Sequence, residues 1–373
     1  MRKSVLILAM IALVALFAIS CKSEPIHEHE YVIENHDNEN HWKECECGEK
    51  SEVSKHVFSE WVVSEDAIAT RKCDCGYEEK AEGKAVSVAT EDELNNAIDD
   101  GSKTIYLAAD IDLTGFIEVK NKVALNLNNK KISNGNGSAI IVDSGEITID
   151  GNGVVSARSF AIRAINDGKV TIESGKYIGD SAIGAGSYYK DKDKWLYSNG
   201  SVTINGGEIE AQEFSVGVWG KSSATINGGT FTSKDNAVIG TNGSSPLTSA
   251  PYDITINGGV FNGKISSSGY IACGIYMANS GNVELNGGTF NIEGGVGILV
   301  RSGNLTANNV EIKLTEKAGL ESGKVGDSKV VITGGSQIVV DDKAGYPGAG
   351  PKVVENKTSY EVKTTEGTAY SAK

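Results

Sequence analysis

The pentapeptide Thr-Ile-Asn-Gly-Gly occurs at residues 203–207, again at 225–229 and a third time at 255–259. An Asn-Gly pair flanked by apolar residues is, taken alone, the strongest short-range signal for a β-hairpin. Recurrence changes that reading. Aligned on this motif, strand-like runs begin at Ile147, Val170, Val202, Ala224, Ile254, Val283, Leu305 and Val330. The closest copies, such as Val202 with Ala224 and Val283 with Leu305, share one short spacing, and the others are irregularly lengthened. A fixed minimum with irregular lengthening means a fixed unit interrupted by loops. Short strands with glycine turns at such a period are the pattern of a parallel β-helix, in which each coil stacks on the one before. Gly is frequent (45 residues), Pro scarce (5), and helix-period patterns nearly absent, which places the chain in the all-β class.

Within a coil, Val202, Ile204 and Ile209 are expected to point inward and Thr203 outward, as are Ile254, Ile256 and Phe261 with Thr255. Stacking then puts Asn205, Asn227, Asn257 and Asn286 in one column, where amides of in-register parallel strands hydrogen-bond into a ladder. A second strand precedes each motif, with inward pairs Ile162 and Ala164, Val216 and Val218, Ile275 and Met277, and Gly297 and Leu299. Arg163, Trp219 and Tyr276 are left facing outward, a strip suited to stacking on and hydrogen bonding to sugar rings. The longest insertion, 187–200, adds Tyr188, Tyr189, Trp195 and Tyr197, and loops on rigid solenoids commonly carry binding residues. Before the first coil, Thr90 with Glu93 forms a capping box, and Leu94, Ala97 and Ile98 share a helical face that would cover the first apolar layer.

The chain begins with Arg2 and Lys3, an apolar run from Val5 to Ile19, then Ser20 and Cys21. That run has the layout of a secretory signal and is short for a membrane span. Its ending, Phe-Ala-Ile-Ser-Cys, resembles the bacterial lipobox. The resemblance implies that Cys21 is acylated and anchors an exported protein to the lipid bilayer of a bacterial membrane, at the cell surface. All five histidines (His27, His29, His36, His41, His56) precede residue 57, and Cys45, Cys47, Cys73 and Cys75 lie nearby. The segment repeats: the step from His29 to His56 is nearly the same as those from Cys45 to Cys73 and from Cys47 to Cys75. Each half offers three ligands: His29, Cys45 and Cys47, then His56, Cys73 and Cys75. His41, His36 and His27 are candidates for the fourth of each. Thiolates and imidazoles at this spacing suit tetrahedral zinc in a structural role. The alternative for an exported protein is a disulfide pair, Cys45 with Cys73 and Cys47 with Cys75. A module this short cannot fold on apolar burial alone, and Trp42, Phe58 and Trp61 would supply its small core. The stretches around the cysteines, HWKECECG and TRKCDCG, resemble the Cys-x-Cys-Gly knuckles of tandem His/Cys repeats in bacterial surface proteins, which are similar to small zinc ribbons.

The repeat region resembles the right-handed parallel β-helix proteins of the pectate-lyase-like superfamily, on its coil spacing, Asn column and capping helix. The expected organisation is a signal peptide at 1–20, an acidic linker and zinc-ribbon-like module at 21–84, the β-helix with its capping helix at 85–342, and a C-terminal cap at 343–373. The polygalacturonase-like mechanism of that superfamily uses a histidine, and this chain has none beyond His56. A calcium-dependent lyase of acidic sugars, with calcium as a second cofactor and Arg163 or Arg301 as base, is the enzymatic alternative; a purely structural surface protein is another. No catalytic residues are assigned. The favoured function is binding of polysaccharide or host glycan without catalysis, by a chain expected to be monomeric. The net charge of -14 repels phosphate backbones, so nucleic acid is not an expected partner.

Overall fold

The computed structural model describes residues 28–191, 194–241, 251–264, 273–278 and 280–315, together with strands Gly323–Val325, Ser328–Val330, Ile338–Val340, Gly350–Asn356 and Val362–Thr364. The stretch carrying Cys21 and His27 lies outside them. Two compact units are present. One comprises the chain through Ser59 with Arg71–Glu79; the other comprises Glu60–Thr70 and everything from Lys80 onward. Among the described residues no helix is long and apolar enough to cross a membrane.

The larger unit is a right-handed parallel β-helix. Each coil contributes one strand to each of three sheets, of 11, 9 and 10 strands, and the pairings that stack coil on coil are parallel. One coil runs Glu146–Asp150 in the first sheet, Val154–Ala157 in the second and Ile162–Ile165 in the third; the next begins at Gly168. Alternation sends every other side chain inward. Val202, Ile204 and Ile209 are buried while Thr203 is half-buried, and the same holds for Ile254, Ile256 and Phe261 with Thr255. The inward residues form one continuous core from Val88 to Ile338. Its second-sheet column includes Phe231, Phe261 and Phe290, whose rings stack at 4.8 and 4.4 Å with interplanar angles of 10° and 12°.

The two glycines of the motif are needed for different reasons. A Cβ on the first, at Gly206, Gly228, Gly258 or Gly287, would run into a backbone carbonyl of the coil below. The second, at Gly207, Gly229, Gly259 and Gly288, turns the chain with φ between 94° and 112°. The asparagines before them form the expected ladder at this corner, on the surface of the solenoid. Asn227 donates to Asn205 (2.7 Å), Asn257 to Asn227 (2.8 Å) and Asn286 to Asn257 (3.2 Å). The ladder is longer than the motif suggests: Asn308 donates to Asn286 (2.8 Å), and Asn205 donates to both carboxylate oxygens of Glu173 (3.0 and 2.9 Å).

Helix α1 (Glu91–Asp100) closes the start of the core with Leu94 and Ile98. The Thr90 hydroxyl accepts from the Glu93 amide (3.2 Å), and the Glu93 carboxylate accepts from the Ala89 amide (2.7 Å). Glu91 ties the helix to the next turn by accepting from the Thr114 amide and hydroxyl. These bonds, led by the Thr114 amide, hold the Glu91 carboxyl below its usual range.

Four expectations require correction. Trp61 does not enter the core of the His/Cys module. Its ring packs on Tyr106 of the β-helix unit (5.7 Å), and its backbone is held by Asn128, which accepts from the Trp61 amide (2.7 Å) and donates to its carbonyl (3.0 Å). In the strand Val296–Val300 the phase is the reverse of that expected: Ile298 and Val300 join the main core, and Leu299 faces the other way. Both faces of this strand are buried, so alternation gave no cue. The rung that follows Ser302–Ala307 is not the copy expected from Val330, of which only Val330 lies within the described residues. Ser328–Val330 pairs antiparallel with Gly323–Val325, and Gly350–Asn356 is the strand that stacks on Ser302–Ala307. Finally, the insertion expected as a loop is a hairpin, Ser187–Asp191 paired antiparallel with Lys194–Ser198.

Phe261→Ala, which empties the middle of the ring stack, is expected to destabilise the β-helix by about 4 kcal/mol. Asn227→Ala, which removes two exposed ladder bonds, is expected to cost about 1 kcal/mol; chemical denaturation followed by circular dichroism measures both. Because the folded pKa of Glu91 is lowered, its stabilisation is present above the ordinary carboxylate range and lost as pH falls through the folded value. The gap in denaturation midpoint between native and Glu91→Gln protein should therefore close on acidification.

Candidate functional site

In the smaller unit the two Cys-x-Cys-Gly turns fold alike. The Gly48 amide donates to the Cys45 carbonyl (2.8 Å) and the Gly76 amide to that of Cys73 (2.9 Å). The Cys45 amide donates to the Glu49 carbonyl and the Cys73 amide to that of Tyr77. Both glycines lie in the left-handed region, at φ 88° and 89°, so the chain doubles back and presents two sulfurs to one side. Cys45 and Cys73 are buried, Cys75 half-buried and Cys47 exposed.

Two groups of ligand atoms result, each within 4.8 Å of one another: His29, Cys45 and Cys47, and His41, Cys73 and Cys75. His56 belongs with the second group, its Nδ1 being 3.3 Å from the Cys75 sulfur and its ring 5.6 Å from that of His41. His29 Nδ1 stands at the same 3.3 Å from the Cys47 sulfur. The ring nitrogens turned away from sulfur are fixed as well: His29 Nε2 pairs with the Glu49 carboxylate (2.7 Å), and His56 Nε2 bonds to the Asp37 carbonyl (2.9 Å). Such outer partners orient imidazole ligands. The second group thus has two thiols and the His41 imidazole mutually within reach of an ion, with the His56 imidazole beside Cys75, the donor types of a closed tetrahedral site. Burial opposes ionisation of the Cys73 thiol, but bonds from the Cys75 backbone and from His56 and Cys75 side chains outweigh it and bring its pKa to about 7.

These His/Cys groups can hold a metal ion, and the four cysteines of the module are free. The disulfide alternative is not formed: Cys45 and Cys73 sit in different groups. Of the three histidines considered as fourth ligands, His41 takes that place in the second group. His36 instead lies against Tyr77 (5.3 Å), and His27 is outside the described residues. Tyr77, which stacks on His56 at 4.5 Å and 14°, escaped the sequence reading. It follows Cys75 as Glu49 follows Cys47, so the internal repeat carried the signal. Among the described residues no third group of three such ligands occurs, and neither group is made of carboxylates of the kind calcium prefers.

On the third sheet, Arg163, Gly184, Gly217, Gly240, Tyr276 and Leu299 form one outward column. Outward parity holds for Trp219 and Tyr276, but their expected exposure does not: they are 6% and 9% exposed. The three glycines leave a trough into which rings fold. A Cβ at Gly217 would meet the Trp219 ring, one at Gly240 the Phe214 ring, and one at Gly184 would meet Phe160 and Arg163. Tyr276 is packed with Leu299, Cys273 and Val296, and its hydroxyl accepts from Arg301 (2.8 Å), which is 1% exposed. Glycine in the same register of three successive coils was the overlooked cue.

Arg163 remains half-exposed, with its guanidinium 4.4 Å from the Phe160 ring and 5.3 Å from that of Trp219, and its Nε donates to the Gly186 carbonyl (2.8 Å). The hairpin rises directly after Gly186. Its register places Tyr188 opposite Tyr197, Tyr189 opposite Leu196 and Lys190 opposite Trp195. The half-buried Tyr197 ring lies over Gly220, next to Trp219. Arg163, Trp219 and Tyr197 are therefore brought to one place, and Tyr276 is not available there.

No family model matches this chain, and no curated protein and no solved structure does either. Fold and site together define it as a right-handed parallel β-helix protein with a small module bearing two His/Cys groups able to hold metal.

Each group is expected to take one metal ion. Elemental analysis of the purified protein should find two per chain, one for each of the two groups. Cys73→Ser or His41→Ala should remove one ion and leave the other.

Proposed function

We propose that this chain is a lipid-anchored bacterial surface protein whose β-helix binds polysaccharide or host glycan without catalysis, and whose His/Cys module is stabilised by zinc. The observation that carries the binding reading is the cluster at the foot of the hairpin. A half-exposed guanidinium lies against the Phe160 ring and near Trp219, and Tyr197 packs alongside. Aromatic faces stack on the apolar faces of sugars, and a guanidinium donates to their hydroxyls. The rigid solenoid below holds these groups in place, which lowers the ordering cost of binding. Zinc is favoured for the module because two soft sulfurs with two imidazoles match its tetrahedral preference, and because the His56 ring is already oriented by its outer nitrogen. Acylation of Cys21 would hold the assembly at a membrane.

Glycan-array binding with and without calcium tests the reading. Retention of neutral or acidic glycans with no change in their length is expected, independent of calcium. Tyr197→Ala should weaken retention roughly tenfold, the scale of one lost aromatic stacking contact. Release of unsaturated oligosaccharides would make the protein a lyase, and absence of any binding would leave a structural role.

A further inference from the structure

The two His/Cys groups share one turn and differ in what surrounds it. In the second, Cys73 is buried and Cys75 half-buried. Rings crowd its His56 imidazole: Tyr77 stacks on it at 4.5 Å, and the Phe58 ring lies 5.4 Å away. A recess of about 300 Å³ is lined by His41 and Cys75 but not by Cys73. In the first group Cys45 is buried and Cys47 is exposed. The place that Tyr77 takes after Cys75 belongs here to Glu49, a carboxylate in place of a ring, turned to His29 Nε2 (2.7 Å).

Cys45 and Cys47 are also placed to join each other. Both follow the strand Asn40–Glu44, in a turn closed by the Gly48 amide on the Cys45 carbonyl (2.8 Å). The ligand atoms of the group lie within 4.8 Å of one another. Residues two apart in a turn fall in the range of about 4.4–6.8 Å between Cα atoms that a disulfide needs. Rotation about side-chain bonds is therefore enough to bring the sulfurs together. Cys73 and Cys75 belong to the other group, so a bond between the halves would require the module to rearrange.

We propose that the first group is an oxidant-sensitive metal site, in which Cys47 is the sulfur a peroxide reaches first and Cys45 resolves it into a disulfide that discharges the ion. The inference rests on the reading above that the module holds zinc. The Cys47 thiolate attacks hydrogen peroxide and takes one oxygen as the O–O bond breaks and hydroxide leaves, giving a sulfenic acid. The Cys45 thiolate then attacks that sulfur, the S–S bond forms and a second hydroxide leaves. Two thiolates and one peroxide become one disulfide and two hydroxides; the sulfurs lose the two electrons that the peroxide gains. Zinc is held by thiolates, so a group reduced to its imidazole lets the ion go. Exposed disulfides are readily reduced, so a thiol restores the site. The second group, with its sulfurs screened, keeps its ion under the same treatment. An exported protein, as proposed above, meets oxidants without a reducing thiol pool around it.

The test treats the zinc-loaded full chain with graded hydrogen peroxide and reads two quantities: metal retained after desalting, and disulfides mapped by mass spectrometry of an unreduced digest. Loss of one of the two ions is expected, together with a bond between Cys45 and Cys47, and the ion should return when a thiol and zinc are added. Cys45→Ser removes the resolving thiol and leaves Cys47 exposed, so a sulfenic acid at Cys47 should persist and be trapped by a cyclic diketone. Release of both ions together, oxidation of Cys73 or Cys75 ahead of Cys47, a bond joining the two halves, or an ion lost with Cys47 unmodified overturns the inference. So does retention of both ions at every dose, which leaves the zinc reading standing. A chain that takes up no zinc refutes that reading and this inference with it.

Discussion

The structure depends on one constraint: in-register hydrogen bonding between successive coils, which places each residue directly over its counterpart in the next. A position in this fold is therefore a column, and its chemistry must tolerate its own repetition. Apolar columns fill the core, and uncharged amides can stack where charges would repel. The Asn ladder shows how direction is set. All its amides donate toward lower-numbered coils, and the last donates to Glu173, in the coil whose motif reads Glu-Ser-Gly in place of Asn-Gly-Gly. A carboxylate only accepts. Asn205 must therefore present its nitrogen downward and its oxygen upward, and each asparagine above inherits that orientation.

The same column logic explains what was legible in the sequence. The motif Val-Thr-Ile-Asn-Gly-Gly repeats backbone geometry, alternation and corner together, so its spacing disclosed the solenoid and the inward residues Val202, Ile204 and Phe261. The capping helix was legible through Thr90 and Glu93, which act locally. The third face was only half legible. Alternation assigns a side chain to the inside or outside of a coil and says nothing of what lies over the outside. Trp219 and Tyr276 are outward by parity and buried by packing; for Trp219 the cause is plain, because Gly217, with no Cβ, leaves the room its ring occupies against the backbone. Where both faces of a strand are apolar, as in Val296–Val300, even parity was lost.

In the His/Cys module the internal repeat disclosed the ligands but concealed an asymmetry. Equivalent positions do equivalent work in the turns, where Gly48 and Gly76 have nearly the same φ. They diverge around the imidazoles. Glu49 bonds the outer nitrogen of His29, whereas its counterpart Tyr77 stacks on the face of His56 and leaves the outer nitrogen to the Asp37 carbonyl. The fourth donor of the second group, His41, comes from the first half of the repeat, in the strand Asn40–Glu44. A ligand set that draws on both halves makes them one folding unit. Neither half can close the second group alone, so a metal bound there ties His41 to Cys73 and Cys75 across a segment with little apolar surface to hold it together.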